Sequence, residues 1–502
     1  MSSPPLISRL LAVLAAALAL ALPAWWNGQP LFYPDTPTYL RGAEAGVQRL
    51  AGPGRWPPWV APAAADAPAA PPRAGLTSID DQVVLAGRSV YYGALLYAAH
   101  RAGSLWWAVA VQALCAAALV ALVMSRLWGL RPATVALTGA ALAVVTPLGL
   151  FTGLLMPDLF AGLAILAIAA LAVHWQQLTP LQRTGLGLLL LFALCAHASH
   201  VALALGLLLL ALGLRRWRAG WQGLSAPALG LVAACLAGAL AAEWAFSQAV
   251  TRAVGAPPLR LPHPMARLVD QGPGTDFLRR TCPGSGYAAC AWVDHFPTPW
   301  TDFLFSTDPQ RGAFALADAP TKRRMAQEQG RFVLDVLRHD PGGVLRGLAV
   351  DAVRQLGMMR VDIAGYGERE LAMYAGRVPE DTLAAMRGSR AALTTRWNEA
   401  ASITAYASTL AALALGVGWS WRRRAAAAPL PQRFGQLAVL VIGGVGINAI
   451  VCATLASPLD RFQARVAWLL PWLALGALAV AASRHRRRVG AGAAVGTQGV
   501  RP

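Results

Sequence analysis

The chain has 502 residues, of which 56% are hydrophobic and only 13% charged, and its formal net charge is +19. A soluble domain carries about a quarter charged residues, and here the apolar residues gather into long uncharged runs, so a water-soluble fold is excluded. The positive charge sits in short arginine patches between those runs (Arg126 and Arg131, RRWR at 215–218, RRR at 422–424, RHRRR at 484–488), which is the positive-inside pattern of a membrane protein and argues against nucleic-acid binding.

In chain order, the first span is Leu6 to Trp25. Its LALALPA end has the small-residue pattern of a signal-peptide cleavage site, and with or without cleavage Asn27 onward is delivered outside. Residues 27–103 form a long first external loop. Within it Thr36 to Leu50 reads as a short helix, Pro53 to Pro72 as Pro/Ala-rich irregular chain, and Gly87 to Arg101 as an interfacial helix whose Tyr91, Tyr92 and Tyr97 suit the headgroup region. The second span is Leu105 to Val123, the third Ala133 to Phe151. The external turn TGLLMPD leads to the fourth, Leu159 to about Val173.

Leu186 to Leu214 is apolar apart from His197, Ser199 and His200, and arginines flank it at both ends. Equal sidedness requires an even number of crossings, so it reads as a hairpin turning at HASH. Arms of about 14 residues reach only about 21 Å, short of a bilayer core of roughly 30 Å, which predicts local thinning or a recessed tip. The seventh span is Ala226 to Phe246. A hydrophilic, helical segment follows from Ser247 to about Ala400, in which VLRGLAVDAVRQLGMM is amphipathic and suited to the membrane surface. Ile403 to Trp421, Leu437 to Ala456 and Val466 to Ala482 complete about ten crossings, with both termini cytoplasmic and the last dozen residues an irregular tail.

The predicted fold is thus an all-α polytopic membrane protein. It has an N-terminal transmembrane module over 1–246, an extracytoplasmic helical segment over 247–400, a C-terminal transmembrane module over 401–484 and a basic cytoplasmic tail over 485–502. Cys282 and Cys290 flank the polar turn CPGSGYAAC and form a plausible local disulfide on an oxidising side of the membrane. A metal site is the weaker reading of that pair, since only His295 lies nearby.

The chemistry-bearing residues collect near span ends on the external side. They are Asp35, Arg41, Glu44, Arg88, Asp158, Asp460, Arg461 and Arg465, with His197 and His200. A carboxylate within a bilayer costs about 3 kcal/mol, so such groups tend to be functional or paired. Asp35 in FYPDTPTYL is a helix N-cap on one reading and a general base or metal-binding carboxylate on the other; Asp158 in LLMPDLF carries the same two readings. His197 and His200 are either buried packing residues or a pair contacting phosphate or metal. Arg461 and Arg465, four apart, share a helical face suited to phosphate, against the alternatives of topological anchoring or an Asp460 ion pair. Arg88 serves either to snorkel or to bind an anion. No P-loop, Rossmann glycine pattern, HExxH or nucleophile elbow occurs, and apart from Glu243 the span interiors are nearly free of charge.

FYPDTPTYL, GRSVYYGALLYA, MPDLFAGL and SPLDRFQARVAWLLPWLAL, in this order and with this sidedness, resemble the GT-C superfamily of membrane glycosyltransferases. The resemblance covers most of the transmembrane part and none of 247–400. It implies sugar transfer from a polyprenyl-phosphate-linked sugar at the external leaflet of the plasma (inner) membrane. It further implies that Asp35 is the base or a metal ligand, with Asp158 near it and a divalent metal ion as an open alternative. Tyr39, Arg88, His197, His200, Arg461 and Arg465 would bind substrate. Many relatives pair two carboxylates in the first loop, whereas here Thr36 and Pro37 follow Asp35, and Asp80 and Asp81 are distant. A non-catalytic subunit of polysaccharide or lipid assembly, and a lipid or small-molecule transporter, are the rival readings. Oligomeric state is open.

Overall fold

The computed structural model describes residues 5–52, 57–60, 82–363, 365–393, 396–422 and 430–498. Asp80, Asp81, Arg423, Arg424 and most of the Pro/Ala-rich stretch lie outside the described residues, as do the side chains beyond Arg486. Every named element is a helix. Eight are long and apolar enough to cross a membrane, over Leu6–Asn27, Trp106–Leu127, Leu159–Gln177, Ala198–Trp217, Ala226–Val254, Arg396–Gly418, Gln432–Leu455 and Asp460–Arg486. Two more apolar helices, Pro132–Val145 and Pro180–Ala196, are shorter.

The bundle is arranged around one helix. The first elements are α1 (Leu6–Asn27), α2 (Thr36–Ala51), α3 (Val90–Arg101), α4 (Trp106–Ala121), α5 (Pro132–Val145), α6 (Leu148–Gly153) and α7 (Leu159–His174). Every residue of α7 is buried, as expected of a helix that is apolar all round. By contrast α1 buries one stripe of mostly small residues, Ala12, Ala16, Ala17 and Ala24 with Leu20 and Asn27, and turns Leu10, Leu11, Leu14 and Leu18 outward. That stripe lets α5 and α6 approach closely: a Cβ on Gly139 or Gly153 would come within 2.6 Å or 2.5 Å of the Ala16 or Ala24 methyl. Helices in lipid pack by such small-residue contacts, because burying apolar surface there gains nothing over the acyl chains.

The expected third span is broken. Pro147 has no N–H to continue the ladder, and Thr146 turns its hydroxyl back to the Leu142 carbonyl at 2.6 Å, so α5 stops at Val145 and α6 resumes as a short turn. The hairpin is two helices, α8 (Pro180–Ala196) and α9 (Ala198–Trp217), turning at His197. Its arms are longer than the apolar run suggests. Thr179 and Gln182 form a capping box ahead of the apolar residues, and α9 carries Arg215 and Arg216 in its last turn. At about 26 and 30 Å the arms give no ground for bilayer thinning.

The next helices are α10 (Ala226–Val254), α11 (His263–Gln271), α12 (Pro273–Thr281), α13 (Trp300–Phe305), α14 (Ala319–His339) and α15 (Pro341–Gly357). Residues from Leu261 to Val344 build a core of their own around Met265, Phe277, Phe303, Phe314 and Phe332, and Cys282 and Cys290 are joined there by a disulfide. The stretch after α15 belongs elsewhere. With α16 (Glu368–Tyr374), α17 (Glu380–Arg387) and α18 (Arg390–Leu393), it packs Val361, Ile363, Tyr366, Tyr374 and Leu383 into the main core. The last elements are α19 (Arg396–Arg422), α20 (Gln432–Leu455), α21 (Asp460–Ala467) and α22 (Leu469–Gln498). The helix α22 runs to Gln498, where the sequence suggests an irregular tail.

Candidate functional site

The site forms where the first loop meets the head of α7. Leu31 pairs with the 153–155 turn, its N–H donating to Gly153 and its carbonyl accepting from Leu155 at 2.9 and 2.8 Å. Thr36 Oγ1 then donates to the Leu155 carbonyl at 3.0 Å. Gln112 braces the same turn from α4, donating to the carbonyls of Thr152 and Leu154 while accepting from the Tyr92 hydroxyl. Two segments about 120 residues apart are thereby fastened side by side, one bearing Asp35 and the other Asp158.

Neither carboxylate caps its helix: both stand at the N-cap position, and no capping bond from either side chain forms. Asp35 instead accepts from Arg88 Nη2 at 2.5 Å, with both side chains half-buried. The contact between α2 and α3 sets this pair, because Tyr39 lies one turn after Asp35 and Gly93 one turn after Arg88. A Cβ on Gly93 would sit 2.2 Å from the Tyr39 carbonyl oxygen, so only glycine lets the two helices start this close. Tyr39 is buried edge-on to Tyr92, with ring centroids 5.3 Å apart.

Asp158 is buried and faces two guanidiniums, with Arg465 Nη1 at 3.4 Å and Arg461 Nε at 3.8 Å. The two arginines differ in their remaining bonds. Arg465 Nη2 also meets Ser199 Oγ at 3.2 Å, Asn448 Oδ1 at 3.1 Å and Cys452 Sγ at 3.3 Å, so it locks α7, α9 and α20 together. Arg461 lies over the Tyr33 ring at 4.1 Å, and its buried Nε and Nη1 have no hydrogen-bond partner. It feels the charges of both Asp158 and Asp35, so the two acid–arginine pairs constitute one site.

The hairpin tip closes the far wall. Ser89 Oγ donates to the Cys195 carbonyl at 2.6 Å, which ties the start of α3 to the end of α8. His197 Nδ1 accepts from Ser199, and its ring lies 5.3 Å from that of His200. His200 is fully buried and donates from Nδ1 to the Ala193 carbonyl at 2.7 Å, leaving Nε2 without a partner. The structure therefore brings Asp35, Tyr39, Arg88, Asp158, His197, His200, Arg461 and Arg465 together. Glu44 accepts from the Trp59 N–H, Asp460 from the Arg360 N–H, and Glu243 pairs with Arg260. Arg41 is exposed.

Asp362 escaped the sequence reading. Its segment is anchored by the Arg360 bond to Asp460 and by the Val361 N–H to Ser402 Oγ at 2.9 Å, and its carboxylate interacts with Arg461 and with Tyr33. Its side chain is exposed, yet the protein packed beside it desolvates the carboxylate enough to raise its pKa, against the opposing pull of Arg461. The only signal in sequence was a lone aspartate between apolar residues in MMRVDIAGYG, where the chain returns to the membrane. The same returning stretch clamps the first loop: the Phe32 N–H donates to Tyr366 Oη at 2.6 Å, and Arg377 donates to the Pro34 carbonyl and to Thr38 Oγ1.

The donor set suits an anion. Asp35 and Asp158 are each engaged by arginine, three guanidiniums share the site, and no group of three metal-ligating side chains occurs among the described residues. A divalent cation would have to displace those guanidiniums, so these residues do not fit one. No family model, curated protein or solved structure matches the chain.

Proposed function

We propose that this protein is a membrane glycosyltransferase that moves a sugar from a polyprenyl-phosphate carrier to an extracytoplasmic hydroxyl. The observation that carries the reading is Arg461, a buried cation beside Asp158 and in the field of Asp35, two of whose nitrogens make no hydrogen bond. Buried polar groups are nearly always hydrogen-bonded, and a guanidinium fork matches a phosphate. In this reading all ten apolar helices cross the plasma (inner) membrane, both termini are cytoplasmic, and the site faces outward.

The phosphate of the donor lies on Arg461 and Arg88, and the prenyl chain leaves the site into lipid. Arg465 holds Asp158 and takes no direct part. The acceptor oxygen attacks the anomeric carbon while Asp35 takes the hydroxyl proton. The bond from the anomeric carbon to the phosphate oxygen breaks, and its electron pair departs with the polyprenyl phosphate. The guanidiniums stabilise the charge that develops there. Arg88 exchanges Asp35 for phosphate as the donor binds, which frees the carboxylate to act as base.

Membranes containing the full chain, supplied with radiolabelled polyprenyl-phosphate sugars, test this. Transfer should occur with the wild type and fall at least about 100-fold in Asp35→Asn, the scale of general-base catalysis, with membrane insertion intact. Full activity in Asp35→Asn would remove Asp35 from the mechanism.

A further inference from the structure

A second basic site lies at the opposite end of the bundle. The helix α1 begins at Leu6 and reaches the Asp35 region at Asn27, so Arg9 stands about 27 Å of helix away from that end. There a cavity of about 250 Å³ opens between α1, the end of α4 and the start of α5. Its polar lining comes from Arg9, Ser125, Arg126 and Gln182, its remaining wall is apolar, and it includes no carboxylate. Arg9 Nε is buried there without a hydrogen-bond partner.

The backbone around the cavity is built to hold it open. After Ala121 the helix widens into a π-helical turn over Leu122–Leu127, and Ser125 Oγ turns back to the Ala121 carbonyl at 2.6 Å. Such turns are rare inside helices and concentrate at functional positions. Pro132 and Val135, in the first turn of α5, complete the apolar wall. Two arginines and no carboxylate against an apolar wall call for a ligand with a negative head and an apolar body.

We infer that this cavity binds the phosphate headgroup of an anionic phospholipid, with its acyl chains running along the outward-facing leucines of α1. Basic pockets between membrane helices take such headgroups, and the lining residues Pro132 and Gln182 are the sequence neighbours of Arg131 and Arg183. The inference does not depend on the sugar-transfer reading, because it shares no residue with the Asp35 site.

The test is native mass spectrometry of the purified full-length protein titrated with phosphatidylglycerol, phosphatidylcholine, glycerol phosphate and inorganic phosphate. The wild type should bind phosphatidylglycerol in preference to phosphatidylcholine, and Arg9→Gln/Arg126→Gln should weaken that binding about 30-fold, the loss expected for two interfacial charges. Arg9→Lys/Arg126→Lys, which keeps the charge, should retain most of it. Arg216→Gln/Arg218→Gln, at the same end but outside the cavity, should leave it unchanged and controls for general surface charge. Equal binding of phosphatidylglycerol by wild type and the Arg9→Gln/Arg126→Gln variant would overturn the site. An equal loss in the control pair would do the same. Displacement of the lipid by inorganic phosphate at equal concentration would overturn the lipid as its occupant.

Discussion

A guanidinium without hydrogen bonds inside a protein has lost water and gained little in return, and Arg461 is in that state at two of its nitrogens. Arg465, four residues later, is bonded through both Nη1 and Nη2, which leaves only Nε without a partner. Under the proposed function, the difference separates a position kept for a ligand from one that holds the frame. Asp158 belongs to the frame, since it is buried and, among the described residues, is compensated by the two arginines. Asp158→Asn should therefore destabilise the protein by about 3–5 kcal/mol, the cost of leaving buried charge uncompensated. Thermal unfolding in detergent would show it, and an unchanged midpoint would remove Asp158 from the core electrostatics. Asp362 makes an opposite prediction. Its carboxyl pKa is raised on folding, so the folded state favours the protonated form, and stability declines as pH rises from the ordinary carboxylate value near 4 through the raised value. Asp362→Asn should flatten that decline; a wild-type slope retained in the variant would contradict it.

At the scale of elements, the decisive contact is the crossing of α2 and α3. The sequence shows Asp35 and Arg88 fifty-three residues apart with nothing to pair them. What joins them is a backbone approach permitted by Gly93, which reads in sequence as an unremarkable helix residue. Gly93→Ala forces the Tyr39 carbonyl away and should cost about 1–3 kcal/mol, the range for overpacking. It should also separate Asp35 from Arg88 and lower transfer; full activity and stability together would show that the helices can yield. The helices themselves were largely legible, because long uncharged runs have few other interpretations. The α5–α6 break and the extra turns of α8 and α9 were not, because hydropathy registers apolar runs but not the capping box at Thr179 or the missing N–H of Pro147. Asp35 and Asp158 both look like N-caps in sequence, and only the arginines brought in from elsewhere show that their side chains are occupied otherwise.

Across the whole molecule, the buried helix α7 is the axis on which the account turns. It carries Asp158 at its head, while α21 brings Arg461 and Arg465, the hairpin brings His197 and His200, and the first loop brings Asp35. In sequence, the arginine patches put these groups on one side, and only the family resemblance puts them near one another. The contribution of the 358–393 stretch was not legible, because its anchors to Phe32, Pro34 and Ser402 are single hydrogen bonds without a sequence pattern. The division of one hydrophilic segment into a disulfide-bearing core and a strap over the first loop likewise rests on packing that composition cannot reveal. The central claim, that one outward site holds a lipid-linked phosphate, is tested most directly by equilibrium binding of a labelled polyprenyl phosphate to the purified full-length protein. Wild type should bind it about 100-fold tighter than the matching polyprenol, as expected for two charge-assisted contacts, and Arg88→Gln/Arg461→Gln should abolish that difference while eluting as a folded protein. Equal affinity for phosphate and alcohol in the wild type, or an undiminished preference in the double variant, would contradict the account.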